Sequence, residues 1–415
     1  MTTHHQILVI GGGTAGIMVA AQLLKKNKNL NIGIIEPATT HYYQAAWTLV
    51  GAGTYSYDKT AKPMQDVIPK GVSWIKDYAT AFQPEQNMVS TKSNGDITYE
   101  YLIVAPGLEY DYSLVPGLEE AIDKGVVCSN YTDPEHTWKV LKNFKGGTAL
   151  FTQPTTTIKC GGAPQKIMYL AENHFRKSGV KQNTNIVFAS PGKVIFGLKP
   201  IRKTLMEVVN RKDINLRFGY KLKKVDGANN IAWFALADHS YEHNTKDIKV
   251  ETDGDLIGIH YDMMHTAPPS VAPKFIQDSP LVNDSKWLDV NQFSMQHNNY
   301  SNIFGLGDVC GLPTAKTGAA IRKQVPIVVD NILMMIKSNT IGSSSYSGYS
   351  SCPIVTDYGK MVLAEFDYEK NFIPDPKLKQ MLIRDSSKEH WRLWILKKYI
   401  LPYLYWNKML KGKEV

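Results

Sequence analysis

The sequence predicts an α/β protein with two doubly wound domains and a C-terminal helical region. The apolar run Ile7 to Ile10 precedes a glycine-rich turn and an alanine-rich helical stretch, the order of a buried parallel strand and its crossover helix. A second apolar run, Thr148 to Phe151, precedes another glycine-containing turn and a helical stretch that starts near Gln165. Aromatic and basic residues then dominate the C-terminus. Both α/β units are therefore expected to be Rossmann-like.

The first glycine-rich turn has the spacing of a dinucleotide-binding fingerprint. Its run Gly-Gly-Gly-Thr-Ala-Gly places Gly11, Gly13 and Gly16 in the pattern G-x-G-x-x-G between strand and helix. These glycines permit, in turn, a tight turn, close approach to a pyrophosphate and close packing of helix on strand. The next strand, Ile32 to Ile35, ends at Glu36, where an acid that binds ribose hydroxyls is expected. The fingerprint does not distinguish FAD from NAD.

Length and composition indicate a folded protein of more than one domain. The chain has 415 residues, 43% hydrophobic and 20% charged, which is the balance of a globular protein. Its 4 cysteines show no C-x-x-C pair and no metal-ligand spacing, so no metal is predicted. The formal net charge is +9. No recognition motif accompanies the positive residues, so no nucleic-acid partner is expected.

The positive charge is concentrated near the C-terminus, together with aromatic side chains. Seven Lys or Arg residues stand between Lys388 and Lys413, interleaved with tryptophan and tyrosine. This combination is typical of a segment that lies in the headgroup layer of a membrane. No apolar run reaches the roughly 18 residues that a membrane-spanning helix needs. We expect a peripheral, monotopic protein of a bacterial cell membrane. No signal peptide is expected, because a core strand begins almost at once.

Two cysteines, Cys160 and Cys352, are predicted to lie in turns rich in Gly, Pro or Ser. Lys159 precedes Cys160, and a helix starts a few residues after it. A neighbouring cation and a helix N-terminus both favour the thiolate form. The two cysteines are distant in the sequence, so the fold must bring them together for a shared reaction. Cys128 and Cys310 are interpreted as small buried hydrophobic residues.

The second α/β unit lacks the features of a nicotinamide site. No G-x-G-x-x-G follows its first strand, and Cys160 stands in the turn instead. The next strand, Asn185 to Phe188, is followed by Ala-Ser-Pro rather than by a ribose-binding acid. Pyridine nucleotide is therefore disfavoured as the electron donor.

Several strings resemble one family of flavoproteins. Ile97 to Gly107 and Asn302 to Val309 resemble the strand-and-turn motifs of the two-dinucleotide-domain flavoproteins, the disulfide reductase family. Between Val9 and Lys411 the chain resembles the sulfide:quinone oxidoreductases, in particular their mitochondrial-like branch. The strings that carry this resemblance are His41 to Gln44, Trp47 to Gly53, Lys159 to Tyr169, Leu312 to Thr317, Ser351 to Pro353, Ala364 to Tyr368 and Leu404 to Asn407.

The resemblance implies a domain order. Residues 1–115 and 290–340 would form a discontinuous FAD-binding domain. Residues 116–289 would form the second Rossmann-like domain, which carries Cys160. Residues 341–415 would form the C-terminal region, which carries Cys352 and amphipathic helices for membrane and quinone.

The resemblance also implies cofactor contacts. The acid of the second flavoprotein motif holds the ribityl chain of FAD in that family, and here it is Asp308. Gly107, in the first motif, is a further contact. Lys316 follows Asp308 by eight residues, and a cation there would stabilise negative charge on the reduced flavin.

The resemblance further implies that Cys160 and Cys352 form the redox pair of an enzyme that oxidises hydrogen sulfide. Sulfide attacks their disulfide or sulfur-bridged form, a persulfide forms on one, and the other presents a thiolate to the flavin. A quinone accepts the two electrons on the opposite flavin face. Sulfide, a thiol or sulfite accepts the sulfane sulfur.

Four residues are expected quinone contacts. Tyr43 and Gln44 resemble the family's residues on the quinone side of the flavin, and Tyr403 and Trp406 are candidates for the lining of an apolar mouth at the bilayer. Two other functions share part of the pattern. A type II NADH:quinone dehydrogenase would need a second glycine loop where Cys160 stands, and a non-catalytic redox sensor would bind flavin and persulfide without turnover. The sulfur acceptor, the quinone and the number of subunits stay open, a homo-oligomer included.

Overall fold

A computed structural model describes residues 3–246 and 248–414. In chain order its strands are β1 Thr3–Ile10, β2 Ile32–Ile35, β3 Thr40–Tyr42, β4 Ala61–Pro63, β5 Val72–Ile75, β6 Ala79–Gln83, β7 Met88–Thr91, β8 Asp96–Val104, β9 Glu109–Tyr110, β10 Val127–Cys128, β11 Gly147–Thr152, β12 Thr184–Ser190, β13 Ile214–Asp226, β14 Ile231–His243, β15 Val250–Asp253, β16 Leu256–His260, β17 Met263–Thr266, β18 Ser270–Val271, β19 Ile303–Gly305, β20 Ser350–Asp357 and β21 Lys360–Phe366. Its α-helices are α1 Thr14–Lys26, α2 Trp47–Gly51, α3 Met64–Val67, α4 Leu118–Ala121, α5 Pro134–Asn143, α6 Ala163–Lys177, α7 Lys199–Lys212, α8 Lys274–Gln277, α9 Gly318–Ser338, α10 Trp391–Ile395 and α11 Leu401–Asn407.

The first sheet has the strand order β5-β2-β1-β8-β7-β6, with β19 beside β8. Strands β5, β2, β1, β8 and β19 run parallel, and β7 and β6 are antiparallel. The side chains of Ile7 to Ile10 and Ile32 to Ile35 are buried, as expected for central strands covered on both faces. Helix α1 packs against helix α9. The strand–turn–helix–strand order predicted from the glycine fingerprint is confirmed.

The second sheet has the order β10-β17-β11-β12-β13-β14-β16-β15. Its first five strands are parallel, and the last three are antiparallel. Leu150, Phe151 and Val187 are fully buried in its centre. The predicted α/β fold with Rossmann-like parallel sheets is therefore present in both halves of the chain. Residues from Ala272 to Leu288 contribute side chains to the first core rather than the second.

The hairpin β20–β21 carries Cys352, and the expectation of a turn there is wrong. Ser350–Asp357 is a strand paired with β21, and Cys352 lies opposite Ala364. The apolar, β-branched run after Pro353 packs into the second core and outweighs the local Ser and Pro signal. Proline is tolerated because this sheet has only two strands, so each strand has an unpaired edge.

A buried ion pair joins this hairpin to the second sheet's helices. Lys212 on α7 donates a hydrogen bond to Glu172 on α6, and both side chains are 3% exposed. Lys212 also lies 3.5 Å from Asp357 at the end of β20, and Arg176 lies 3.6 Å from the same carboxylate. Removing one member of a buried pair typically costs about 3 to 5 kcal/mol. Through Asp357, Lys212 and Arg176 therefore hold the Cys352 hairpin against α7 and α6.

The C-terminal segment forms one helical path that continues through Pro402. A π-helical turn, Leu396–Ile400, connects α10 to α11, and Pro402 lies in the first turn of α11. Proline has no N–H to donate, which favours such an irregular turn just before it. Leu393 and Trp394 belong to the second core, whereas Tyr405 and Trp406 belong to the first. Within residues 3–246 and 248–414 no helix has the length and apolar character needed to cross a bilayer.

Candidate functional site

The glycine loop after β1 has the geometry of a dinucleotide cradle. Gly11 has φ +96°, and a Cβ there would lie 2.5 Å from the carbonyl oxygen of Ala105. A Cβ at Gly16 would lie 1.9 Å from the carbonyl oxygen of Gly11. A Cβ at Gly13 would contact nothing, so the backbone at the N-terminus of α1 is open to a ligand. This arrangement fits a pyrophosphate, which a helix N-terminus and free backbone N–H groups favour.

Glu36 lies beside this loop, at the end of β2. Its carboxylate accepts hydrogen bonds of 2.7 Å from the backbone N–H groups of Gly12 and Ala38. Burial raises the pKa of Glu36, and the two hydrogen bonds oppose that effect. The carboxylate is thus held at the loop, where a ribose would lie next to the pyrophosphate.

The other three predicted cofactor residues lie where β8 and β19 end. Gly107 has φ +83°, and its missing Cβ faces open space. Asp308 follows β19, and burial raises the pKa of its carboxyl while Lys316 and Lys159 oppose the increase. The Lys316 amine donates to the carbonyl oxygens of Asp308 at 2.5 Å and Cys310 at 2.8 Å. Lys316 is therefore held against the backbone of the Asp308 turn.

The sulfur atoms of Cys160 and Cys352 lie 3.8 Å apart. Cys160 occupies a left-handed turn, with φ +53°, immediately before α6. Its N–H donates to the carbonyl oxygen of Lys316 at 2.8 Å, which joins this turn to the Asp308 turn. A Cβ at Gly162 would lie 2.6 Å from the Cys352 sulfur, so only glycine leaves room for that sulfur.

A buried lysine lies beside the two thiols, and their mutual hydrogen bond distinguishes them. The Lys166 amine, on the first turn of α6, donates to the Cys160 sulfur at 2.8 Å. The hydrogen bond from Cys352 and the charge of Lys166 hold the pKa of Cys160 well below its usual value, although burial opposes them. The same hydrogen bond, with burial, raises the pKa of Cys352 well above its usual value. Cys160 is therefore the thiolate and Cys352 the thiol of the reduced pair.

Two further lysines, Lys397 and Lys159, lie near the pair. Lys397, on the π-helical turn, donates to the carbonyl oxygen of Ala45 at 2.7 Å. Burial lowers its pKa to about 8, and the neighbouring Lys166 adds to the decrease. Lys159 donates to the Gln44 side chain at 2.5 Å, and burial lowers its pKa to about 8 as well. The surroundings of the thiols are strongly cationic, which suits sulfide, thiolate and sulfite.

Lys166 and Lys397 were missed in the sequence. The spacing between Cys160 and Lys166 gave a usable signal, because a residue on the first turn of a helix can reach back to the residues that precede it. Lys397 gave none, since a Lys-Lys pair between aromatic residues is equally typical of a headgroup-facing segment.

The four predicted quinone contacts divide into two groups. Tyr43 and Trp406 are buried, with ring centroids 6.4 Å apart, and both pack against Tyr405. Gln44 is exposed and bound to Lys159. Tyr403 is 57% exposed and does not join the cluster of Tyr43 and Trp406.

The other two cysteines lie in the cores. Cys128 is fully buried and Cys310 is 1% exposed. Burial raises the pKa of both thiols, that of Cys310 to about 12. Neither is activated as Cys160 is. Among the residues that the structure describes, no group of three His, Cys, Asp or Glu side chains is arranged to hold a metal ion.

Residues 5–326 match the family model described as pyridine nucleotide-disulphide oxidoreductase. The sulfide:quinone oxidoreductase of mitochondria from Mus musculus is 38% identical over 411 residues, which cover 99% of this chain and 87% of the relative. The enzyme of the same name from Dictyostelium discoideum is 39% identical over 416 residues, covering 98% and 86%. The solved sulfide:quinone oxidoreductase of the hyperthermophilic bacterium Aquifex aeolicus has a TM-score of 0.72 at 18% identity, covers 99% of this chain and 92% of that chain, and shares the fold.

These matches assign the protein to the flavoproteins of the disulphide oxidoreductase type. The chain belongs to the pyridine nucleotide-disulphide oxidoreductase family and, within it, to the mitochondrial-type sulfide:quinone oxidoreductases. The resemblance found in the sequence is confirmed, and a flavin cofactor follows from the family. Both curated relatives are mitochondrial by name, so they give no support to the bacterial cell membrane expected from the sequence.

The role of Lys166 can be measured through the thiolate of Cys160. Because Lys166 lowers the pKa of Cys160, replacing it by methionine should move the midpoint of thiolate formation upward by about one pH unit or more. The measurement is the alkylation rate of Cys160 in the reduced protein against pH, followed by peptide mass spectrometry. Lys177→Met, an exposed lysine on the same helix, should leave the midpoint unchanged. An unchanged midpoint in Lys166→Met as well would refute the assignment.

Proposed function

We propose that this protein oxidises hydrogen sulfide at the Cys160–Cys352 pair and passes two electrons through FAD to a quinone. The observation that carries the proposal is the meeting of these two sulfurs, 3.8 Å apart, beside Lys166. A packing role would not require a buried ammonium in contact with one of the two thiols. The enzyme class is that of the family, a sulfide:quinone oxidoreductase.

The residues around the glycine loop fit FAD. Gly11, Gly13 and Gly16 would hold the pyrophosphate at α1, and Glu36 would hold the adenosine ribose. Asp308 would hold the ribityl chain, as in the family, with Gly107 beside it, and Lys316 would lie near the pyrimidine edge of the flavin. When bound, FAD supplies two-electron chemistry between a dithiol and a quinone.

The electrostatics of the pair favour one direction of attack. Sulfide, as HS⁻, would attack the Cys352 sulfur of the oxidised pair, so that the bond to Cys160 breaks and Cys160 leaves as a thiolate. The best leaving group is the thiol with the lower pKa, and Lys166 stabilises that thiolate. Cys352 then carries the persulfide. An acceptor, which is sulfide, a thiol or sulfite, takes the outer sulfur, and the two thiolates give up two electrons as their bond re-forms.

The residues proposed to contact the quinone are assigned to the flavin face opposite to the thiols. Tyr43 and Trp406 would form apolar walls for the quinone ring. Gln44 would link that wall to Lys159 near the thiols. Tyr403 is better assigned to the membrane surface than to the quinone, because its ring points outward.

We further propose that the C-terminal segment rests on a membrane from one side. Its exposed large side chains recur at every fourth position, Trp391, Ile395, Tyr399 and Tyr403. The π-helical turn keeps this membrane stripe on one face, because four residues of such a turn complete almost a full rotation. Arg392 and Lys398 lie over the rings of the stripe. A quinone dissolved in lipid would then reach the aromatic cluster without crossing water.

The domain division stays a proposal: 1–115 with 290–340, then 116–289, then 341–415.

Two other functions fit less well. The loop after β11, where an NADH dehydrogenase needs a phosphate-binding glycine motif, contains the thiol turn instead. A redox sensor without turnover would not need a quinone site such as the cluster of Tyr43, Tyr405 and Trp406.

The proposed redox pair predicts a specific loss of activity. Cys160→Ser and Cys352→Ser should each lower sulfide-dependent quinone reduction by a factor of about 10³ or more, because a disulfide can no longer form. Flavin absorbance per protein should stay near that of the unaltered protein. Cys128→Ser, a buried cysteine outside the site, is the matched control and should retain activity. Near-normal turnover in Cys160→Ser or in Cys352→Ser would exclude these two cysteines as the redox pair.

The membrane stripe predicts lipid binding that four substitutions remove. Replacing Trp391, Ile395, Tyr399 and Tyr403 by serine should reduce co-sedimentation with anionic phospholipid vesicles by about tenfold or more, because the buried apolar area is lost.

A control for this prediction uses exposed hydrophobic residues elsewhere. Leu236, Tyr241 and Val250, on the far strands of the second sheet, are 39%, 56% and 52% exposed. Their serine variants should sediment with vesicles as the unaltered protein does. Equal binding by both sets of variants would place the membrane contact outside the C-terminal segment.

A further inference from the structure

A tyrosine of the C-terminal segment reaches the dinucleotide loop at the other end of the chain. The Tyr405 hydroxyl lies 2.7 Å from the Thr14 hydroxyl and 2.6 Å from Nε2 of His41. Nδ1 of His41 lies 3.2 Å from the carbonyl oxygen of Gly12. Tyr405 and His41 are each 4% exposed. Residues 12 and 14 of the glycine loop are therefore joined by one chain of hydrogen bonds, which runs through the buried side chains of Tyr405 and His41.

The direction of each hydrogen bond follows from the chemistry of the atoms. Burial lowers the pKa of His41 to about 4, so its ring is neutral and carries one N–H. The carbonyl oxygen of Gly12 can only accept, so that N–H is on Nδ1. Nε2 then accepts from the Tyr405 hydroxyl, and the Tyr405 oxygen accepts from the Thr14 hydroxyl. Every side-chain donor in this series of three hydrogen bonds therefore has an acceptor.

The enclosed residue is Gly13, whose backbone faces the open side of the cradle. We propose that Tyr405 and His41 are positioning residues, which fix the backbone on both sides of Gly13 in the conformation that binds the flavin pyrophosphate. The inference rests on the flavin site of the proposed function. It adds that the C-terminal segment completes this site from the side opposite to the cofactor.

The packing around Tyr405 explains why its hydroxyl is held so firmly. The Tyr405 ring lies 4.4 Å from that of Tyr43 and 5.1 Å from that of Trp406, measured between centroids. Further along, a Cβ at Gly412 would lie 2.8 Å from the backbone of Ala21 on α1, so the segment is in close contact with the helix that begins at the loop. Removal of the segment would therefore weaken the binding of flavin as well as the binding to a membrane.

The test is the rate of FAD release from the Tyr405→Phe holoenzyme, followed as the increase of flavin fluorescence on dilution. The variant keeps the ring and leaves the Thr14 hydroxyl and Nε2 of His41 without partners. We expect release about tenfold faster or more, because unpaired buried polar groups destabilise the closed loop. Tyr368→Phe, which removes a 2.7 Å hydrogen bond to the carbonyl oxygen of Gln292, controls for a general loss of stability and should release FAD at the normal rate.

A second variant separates positioning from packing. Thr14→Val removes the other hydroxyl of the pair, and a double-mutant cycle with Tyr405→Phe should be non-additive, with the double variant close to the faster single one. A release rate in Tyr405→Phe within about twofold of the unaltered protein, or effects that multiply in the double variant, would overturn the proposal.

The result is independent of the sulfide chemistry. With FAD in excess, Tyr405→Phe should still be reduced by sulfide. A failure of the unaltered protein to be reduced would count against the proposed function instead. Loss of reduction by sulfide in Tyr405→Phe saturated with FAD would show a direct role in the reaction and contradict a positioning role.

Discussion

The contact between the Cys160 and Cys352 sulfurs depends on how two distant segments are held against the start of helix α6. Cys160 is fixed by a left-handed turn and by its hydrogen bond to Lys316. Cys352 is fixed by a hairpin that the buried Lys212–Glu172 pair and Asp357 connect to helices α6 and α7. The absence of a side chain at Gly162 leaves the space in which the two sulfurs approach. Both segments must therefore keep these positions for the two sulfurs to come within bonding distance.

The same contact gives the two cysteines different chemistry. The hydrogen bond between the two sulfurs, with the Lys166 amine 2.8 Å from the Cys160 sulfur, keeps Cys160 as the thiolate and Cys352 as the protonated thiol. In the proposed reaction, that asymmetry assigns the leaving group and the persulfide to different residues. The thiolate in turn offsets the cost of burying the Lys166 ammonium, since an unpaired ammonium in the core would be costly. Lys397 brings a second buried charge from the C-terminal segment, so the thiol site and the proposed membrane stripe belong to one packed unit.

The sequence predicted the parts of the fold whose signals are local. The strand–turn–helix around Gly11 to Gly16 and the acid at Glu36 follow from spacing alone, because a dinucleotide loop needs those residues in that order. Pairing of Cys160 with Cys352 came from the family resemblance, since no local signal links residues so distant in the chain. Cys352 was placed in a turn because Ser and Pro surround it, whereas burial of the following apolar residues decides for a strand. Lys166, Lys397 and the link from Tyr405 to Thr14 depend on tertiary packing, which periodicity does not encode.

The central claim is that sulfide reduces the flavin through the thiol pair and that quinone reoxidises it. Anaerobic stopped-flow absorbance of the purified protein tests both half-reactions in sequence, first with sulfide and then with a water-soluble quinone. We predict that the visible flavin absorbance bleaches on mixing with sulfide and recovers when quinone is added. Bleaching by NADH and none by sulfide would contradict the account, because electrons would then enter without the two cysteines.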